Sequence, residues 1–104
     1  MKYLVLAKRK DALLMLPQEQ RIAIWEGMVA FVEKYQKAGK CKEIYMDCDI
    51  AGSASIWDTD SEEEVAKFIL ENPMSPFQDM DVRPVLGWDV SVKAQREYFK
   101  KQSE

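Results

Sequence analysis

Tyr45, Asp47 and Asp49 stand two residues apart, and Ser53, Ser55 and Trp57 repeat the interval. On extended backbone, residues two apart project from one face. The first series therefore aligns a phenol and two carboxylates, with Cys41 and Glu43, on a strand expected over Cys41–Asp49. Ile44, Met46, Cys48 and Ile50 take the opposite face. Moving a proton beside a carbonyl needs a base within about 3 Å and a donor for the developing enolate. A carboxylate whose pKa is raised by burial can be that base. Asp49 and Asp47 are the candidate catalytic bases, and Tyr45, the third candidate catalytic residue, shares their face. Glu43, Asp47 and Asp49 also suit a solvated hairpin end. Ser53, Ser55 and Trp57 form a mixed polar and aromatic wall that fits a small ring-shaped ligand, or else a face whose small residues make room for helices. Trp25 completes the candidate substrate site, a pocket between the sheet and a helix face.

Other chemistries lack their residues. The chain has no histidine, which removes the commonest general base and every Ser-His or Cys-His pairing. Cys41 and Cys48 without histidine make no zinc site, and no Gly-rich phosphate loop is present. No metal and no organic cofactor are expected. On one strand those two cysteines would lie ~23 Å apart and face opposite ways, so an intrachain disulfide is not expected either. A net charge of −3 with scattered basic residues gives no nucleic-acid footprint. No apolar run reaches the roughly 20 residues of a membrane span, and the expected location is cytoplasmic.

The elements that must position these residues follow from periodicity. At 104 residues the chain is expected to be one domain, 1–104. Lys2 to Lys8 reads as a first strand apolar on both faces. Arg9 to Pro17 reads as a covering loop or short helical turn. Ile22, Trp25, Met28, Val29, Val32 and Tyr35 make a helical stripe over Gln18–Ala38, ended by Gly39. Gly27 within it permits close approach of a neighbour. Ser53–Asp58 pairs with the preceding strand as a hairpin, and Thr59-Asp60-Ser61 caps a helix over Glu62–Glu71. Pro73 and Pro76 enforce a crossover anchored by Met74 and Phe77, with Phe77 expected buried. A last strand is expected over Val82–Val90, with Pro84 at an edge, followed by a helix capped by Ser91. Asp79 and Asp81 are expected to organise the crossover, with Arg83 paired to one of them.

This order is α+β and ferredoxin-like, βαββαβ with a C-terminal helix. Both helices cover one sheet face, and the bare face calls for a second copy of the chain, sheet against sheet.

Pro73, Pro76, Phe77, Asp79, Asp81 and Val82 match the Pro-Leu-x-Pro-aromatic-x-Asp-x-acidic-Val run of muconolactone isomerases. Ile50-Ala51-Gly52 resembles the turn between their middle strands, and Asp58, Gly39 and Leu16-Pro17 also correspond. The resemblance spans roughly residues 16 to 86. It implies a homodimeric α+β barrel and a cofactor-free isomerase moving a proton on a small cyclic metabolite, of lactone or enone type. Where those proteins carry Arg-Ile-Ala-Gly-His, this chain carries Asp49-Ile50-Ala51-Gly52-Ser53. An acid there disfavours an anionic substrate, so muconolactone itself is not the expected one. The other readings are a non-catalytic dimeric small-molecule-binding protein and, by analogy of fold, a cofactor-independent oxygenase.

Overall fold

The expected element order is the observed one in the computed structural model, which describes residues 1–103. Strand β1 (Lys2–Arg9) leads through a single helical turn, α1 (Asp11–Leu14), into the long helix α2 (Gln18–Lys37). The hairpin β2 (Cys41–Met46) and β3 (Gly52–Asp58) comes next, then α3 (Glu62–Glu71). A 3-10 turn at Ser75–Phe77 enters β4 (Gln78–Val85), and α4 (Trp88–Gln102) ends the described chain. The sheet order is β2-β3-β1-β4 with every neighbour antiparallel. This is the ferredoxin-like α+β arrangement.

Register decides which residues meet the helices. Tyr3 lies opposite Trp57 and Pro84, Val5 opposite Ser55 and Val82, and Ala7 opposite Ser53 and Met80. This alternate set packs under α2 and α3. Phe31 and Tyr35 from α2, Phe68 from α3, Trp57 and Cys41 form the buried cluster. Ring centroids lie 4.5 Å apart for Tyr35–Phe68 and 5.2 Å for Trp57–Phe68, within the range where aromatic pairs attract.

Local chemistry holds the helices at their ends. Ser61 Oγ accepts from the Glu64 N–H at 3.2 Å, capping α3 as expected. Gly39 ends α2 at φ 74°, in the left-handed region that a residue without Cβ enters freely. At Gly27 an added Cβ would lie 2.9 Å from Pro73 Cγ, so the missing side chain lets the crossover press against α2. The Glu71 carboxylate receives the Tyr35 hydroxyl and, at 2.7 Å, Lys34 Nζ, tying α3 to α2. The Lys34 and Tyr35 hydrogen bonds hold Glu71 below the usual carboxylate range. The bond to Glu71, aided by burial, pushes the Tyr35 phenol up.

The structure departs from expectation at three places. First, β2 ends at Met46, and a bulge between Cys41 and Glu43 breaks the alternation. Cys41, opposite Trp57, therefore joins Ile44 and Met46 on the helix side, while Glu43 and Tyr45 take the open side. The five-residue polar face expected over Cys41–Asp49 does not form. Second, β4 runs over Gln78–Val85, and Trp88 and Val90 belong to α4. β4 pairs with β1 from Gln78↔Arg9 to Val85↔Lys2, and beyond Lys2 no partner strand remains. Gly87, not Ser91, is the N-cap of α4. Pro84 does lie on an edge strand. Third, Met74 is the buried anchor of the crossover and Phe77 is only half-buried. Asn72 Oδ1 organises the turn by accepting the Met74 N–H at 2.9 Å. Asp79 and Asp81 instead stand on β4, where Asp81 pairs with Arg83 and Asp79 lies 3.8 Å from Lys10.

Leu4, Leu6, Ala54 and Ile56 occupy the sheet face that no helix covers. Helix α4 runs away from the sheet with Trp88, Val90, Tyr98 and Phe99 exposed, and the molecule is 65 Å in its longest dimension. No helix among the described residues is long and apolar enough to cross a membrane.

Candidate functional site

Two connected spaces open between the sheet and the helices. The inner one is a narrow apolar cleft of ≈ 70 Å³ beneath Phe31 and Phe68, with Ser55 and Trp57 on its floor. The outer one is ≈ 280 Å³ and lies between the N-terminal half of α2 and the β2–β3 hairpin. Met28, Ser53 and Gln78 border both. Ligand sites for small organic molecules begin at roughly 300 Å³. The outer cavity is therefore the one that suits a single ring, and the inner cleft has room for a few waters at most.

Trp25 is a wall of the outer cavity, 50% exposed, and Ser53 stands on its sheet side. Ser55 and Trp57 lie deeper. The Trp57 indole N–H donates to Ser55 Oγ at 2.9 Å, within the aromatic cluster, so these two serve the core first. Ile22 and Met28 from α2, Met46 from β2 and Met74 from the crossover supply most of the remaining apolar wall. Unbranched methionines adapt to irregular ligands at low strain.

The three proton-transfer candidates are not brought to this cavity. The turn after β2 is closed by Asp47 N–H to Gly52 O and Ile50 N–H to Asp47 O, both 2.9 Å. Asp49 bends back and accepts the Ala51 N–H at 2.9 Å, which commits its carboxylate to the turn. Asp47 borders a shallow hollow on the open sheet face with Leu6, Lys8 and Asp79, where Ser53 is also a border. Tyr45, 66% exposed, is opposite Ala54 on that same open face. The strand expected to run on to Asp49 would have aligned them; the turn that replaces it separates them.

That turn also holds Ile50 at φ 61°, a left-handed conformation that costs a β-branched residue roughly 1–2 kcal/mol. Ile50 and Ala51 form the lip of the outer cavity, so the strained residue shapes its mouth.

Sequence reasoning missed Arg9, Arg21 and Gln78, which all line the outer cavity. Two of the three had a signal. Arg9 continues the Tyr3, Val5, Ala7 alternation, and Arg21 precedes Trp25 by one helical turn.

A four-stranded antiparallel sheet backed by two helices, with a cavity between them, defines a ferredoxin-like α+β domain. The chain belongs to the muconolactone delta-isomerase family, whose sequence pattern matches residues 1–89. Helix α4 lies almost wholly beyond that match. No curated protein matches the chain in sequence. Among solved structures it is similar to the 5-chloro-2-hydroxyhydroquinone dehydrochlorinase TftG of Burkholderia phenoliruptrix, in complex with 2,5-dihydroxybenzoquinone. The two share 19% identity and a TM-score of 0.68 over 86% of this chain and 97% of the other. At that identity the likeness is one of fold.

Proposed function

We propose that this protein is a cofactor-free enzyme of the isomerase or lyase type, moving a proton on a small cyclic metabolite of lactone or enone kind. The observation that carries this reading is the outer cavity. It is sized for one ring, walled by Trp25 and methionines, and set in a domain of the muconolactone delta-isomerase family. The quinone bound by the dehydrochlorinase is itself a cyclic conjugated dicarbonyl compound of that size, which agrees with the reading.

No carboxylate among the described residues lines the cavity, so the proposed base is Asp47, whose Oδ2 lies beside Gly52 on the cavity's border. Asp49 is held by its own turn, whereas Asp47 has no side-chain partner among the described residues and shares Ser53 with the cavity's border. In deuterated water, the wild type is expected to exchange the proton beside the carbonyl in a panel of five- and six-membered lactones and enones, followed by NMR. Asp47→Asn should slow that exchange at least ~100-fold with folding retained. Binding of panel members with no exchange in the wild type would refute catalysis. The non-catalytic binding reading would then stand.

We further propose that the working unit is a homodimer, with a second copy on the open sheet face. Leu4, Leu6, Ala54 and Ile56 are flanked there by Lys8 on one side and Asp79 and Asp81 on another, a mixed-charge rim that can complement its own copy across a two-fold axis. The apolar residues of α4 have no surface of their own sheet to bury against, and a partner supplies one. Light scattering after size exclusion at micromolar concentration is expected to give twice the mass of one chain. A clean monomer would overturn the dimer.

A further inference from the structure

We infer that the outer cavity is an anion site in which Arg9 and Arg21 receive the carboxylate, or an equally acidic enolate, of a small ring compound. This rests on the reading of that cavity as the substrate site and names the charge of what it takes. Among the described residues, Arg9 and Arg21 are the only charged ones on its wall, and no acid lines it with them. Neither is ion-paired among the described residues. Arg21 Nε is shut off from solvent with no hydrogen-bond partner, although the residue as a whole is partly exposed. A guanidinium donor buried without an acceptor is costly, and a planar anion is what its fork of N–H groups matches. The apolar walls lower the local dielectric and strengthen that attraction.

The two arginines come to one cavity from different elements. Arg9 ends β1 on the helix-facing side, and its backbone N–H donates to Ala51 O at 2.9 Å, which fixes it beside the Ile50-Ala51-Gly52 turn. Arg21 reaches in from the first turns of α2. The acid at that turn, Asp49, is drawn back onto the Ala51 N–H and does not line the cavity. Positive charge that the turn sequence lacks is thus supplied by β1 and α2, and the repulsion expected from Asp49 is turned away from the ligand.

The test is a matched pair of fragments, benzoate and neutral benzamide, titrated at pH 7 into the nitrogen-15-labelled protein. The Trp25 indole signal, assigned with Trp25→Phe, reports on the cavity, and the Trp57 signal reports on the core and hence on folding. Benzoate is expected to bind at least ~10-fold more tightly than benzamide. Arg21→Gln should abolish that preference, while Arg21→Lys, which keeps the charge but not the fork, should retain part of it. Arg9→Gln, a substitution at an exposed rim position, gives an independent second arm should Arg21→Gln lose the Trp57 signature. Equal binding of the two fragments, or a preference unchanged in both glutamine variants, would overturn the anion site and leave the cavity as a neutral-ligand site. No Trp25 shift with either fragment would overturn the cavity as a ligand site altogether.

Discussion

Trp57→Ala is expected to lower stability by about 3–5 kcal/mol, the cost of removing a large aromatic side chain from a packed core. Trp57 is 7% exposed and touches the rings of Phe31, Tyr35 and Phe68, so its loss leaves a void bounded by three aromatic faces on two helices. It also removes the donor that satisfies Ser55 Oγ, leaving that buried hydroxyl with only the Val5 carbonyl at 3.5 Å. Domains of this size hold a total of roughly 5–15 kcal/mol, so the variant should sit near the edge of folding. Urea unfolding followed by far-UV circular dichroism, which does not rely on the deleted indole, measures it. Trp57→Phe keeps an aromatic face in the cluster and should cost distinctly less. A midpoint for Trp57→Ala equal to that of the wild type would show that the cluster does not hold the helices to the sheet.

Gly52→Ala should cost roughly 3 kcal/mol through overpacking alone. An added Cβ at Gly52 would lie 2.4 Å from the Ala7 carbonyl oxygen and 2.8 Å from Asp47 Oδ2. The first collision is with backbone, so no side-chain rotation relieves it, and β1 must part from β3 where Arg9 N–H meets Ala51 O. Because Arg9 and the hairpin both border the outer cavity, the damage should reach ligand binding as well as stability. Gly87→Ala is the control, since an added Cβ there meets nothing nearer than 4.0 Å. Thermal unfolding of the two variants side by side should separate them by roughly 10 °C or more. Equal midpoints would mean that the hairpin yields without strain.

Periodicity carried most of the fold. The alternation in β1, the stripe of α2 closed by Gly39, the Ser61 cap with its three following glutamates and the paired prolines each have a local cause. A local cause is readable from neighbours in the chain. The ferredoxin-like order followed from them, and so did Trp25 and Ser53 as walls of one cavity. What depended on strand pairing was not readable. Whether Cys41 and Tyr45 share a face was decided by a bulge against β3, and one extra residue reverses every side chain beyond it. Where β4 ends was decided by where β1 begins, so Trp88 and Val90 passed from a strand to a helix. The charge of the cavity was hidden for the same reason. Arg9 and Arg21 are twelve positions apart and line one cavity only because β1 packs beneath α2, while Asp49, in the turn whose Ile50 and Ala51 form the cavity's lip, commits its carboxylate to that turn. Composition and spacing determined the scaffold; the packing of the sheet against the helices decided which charges face the cavity.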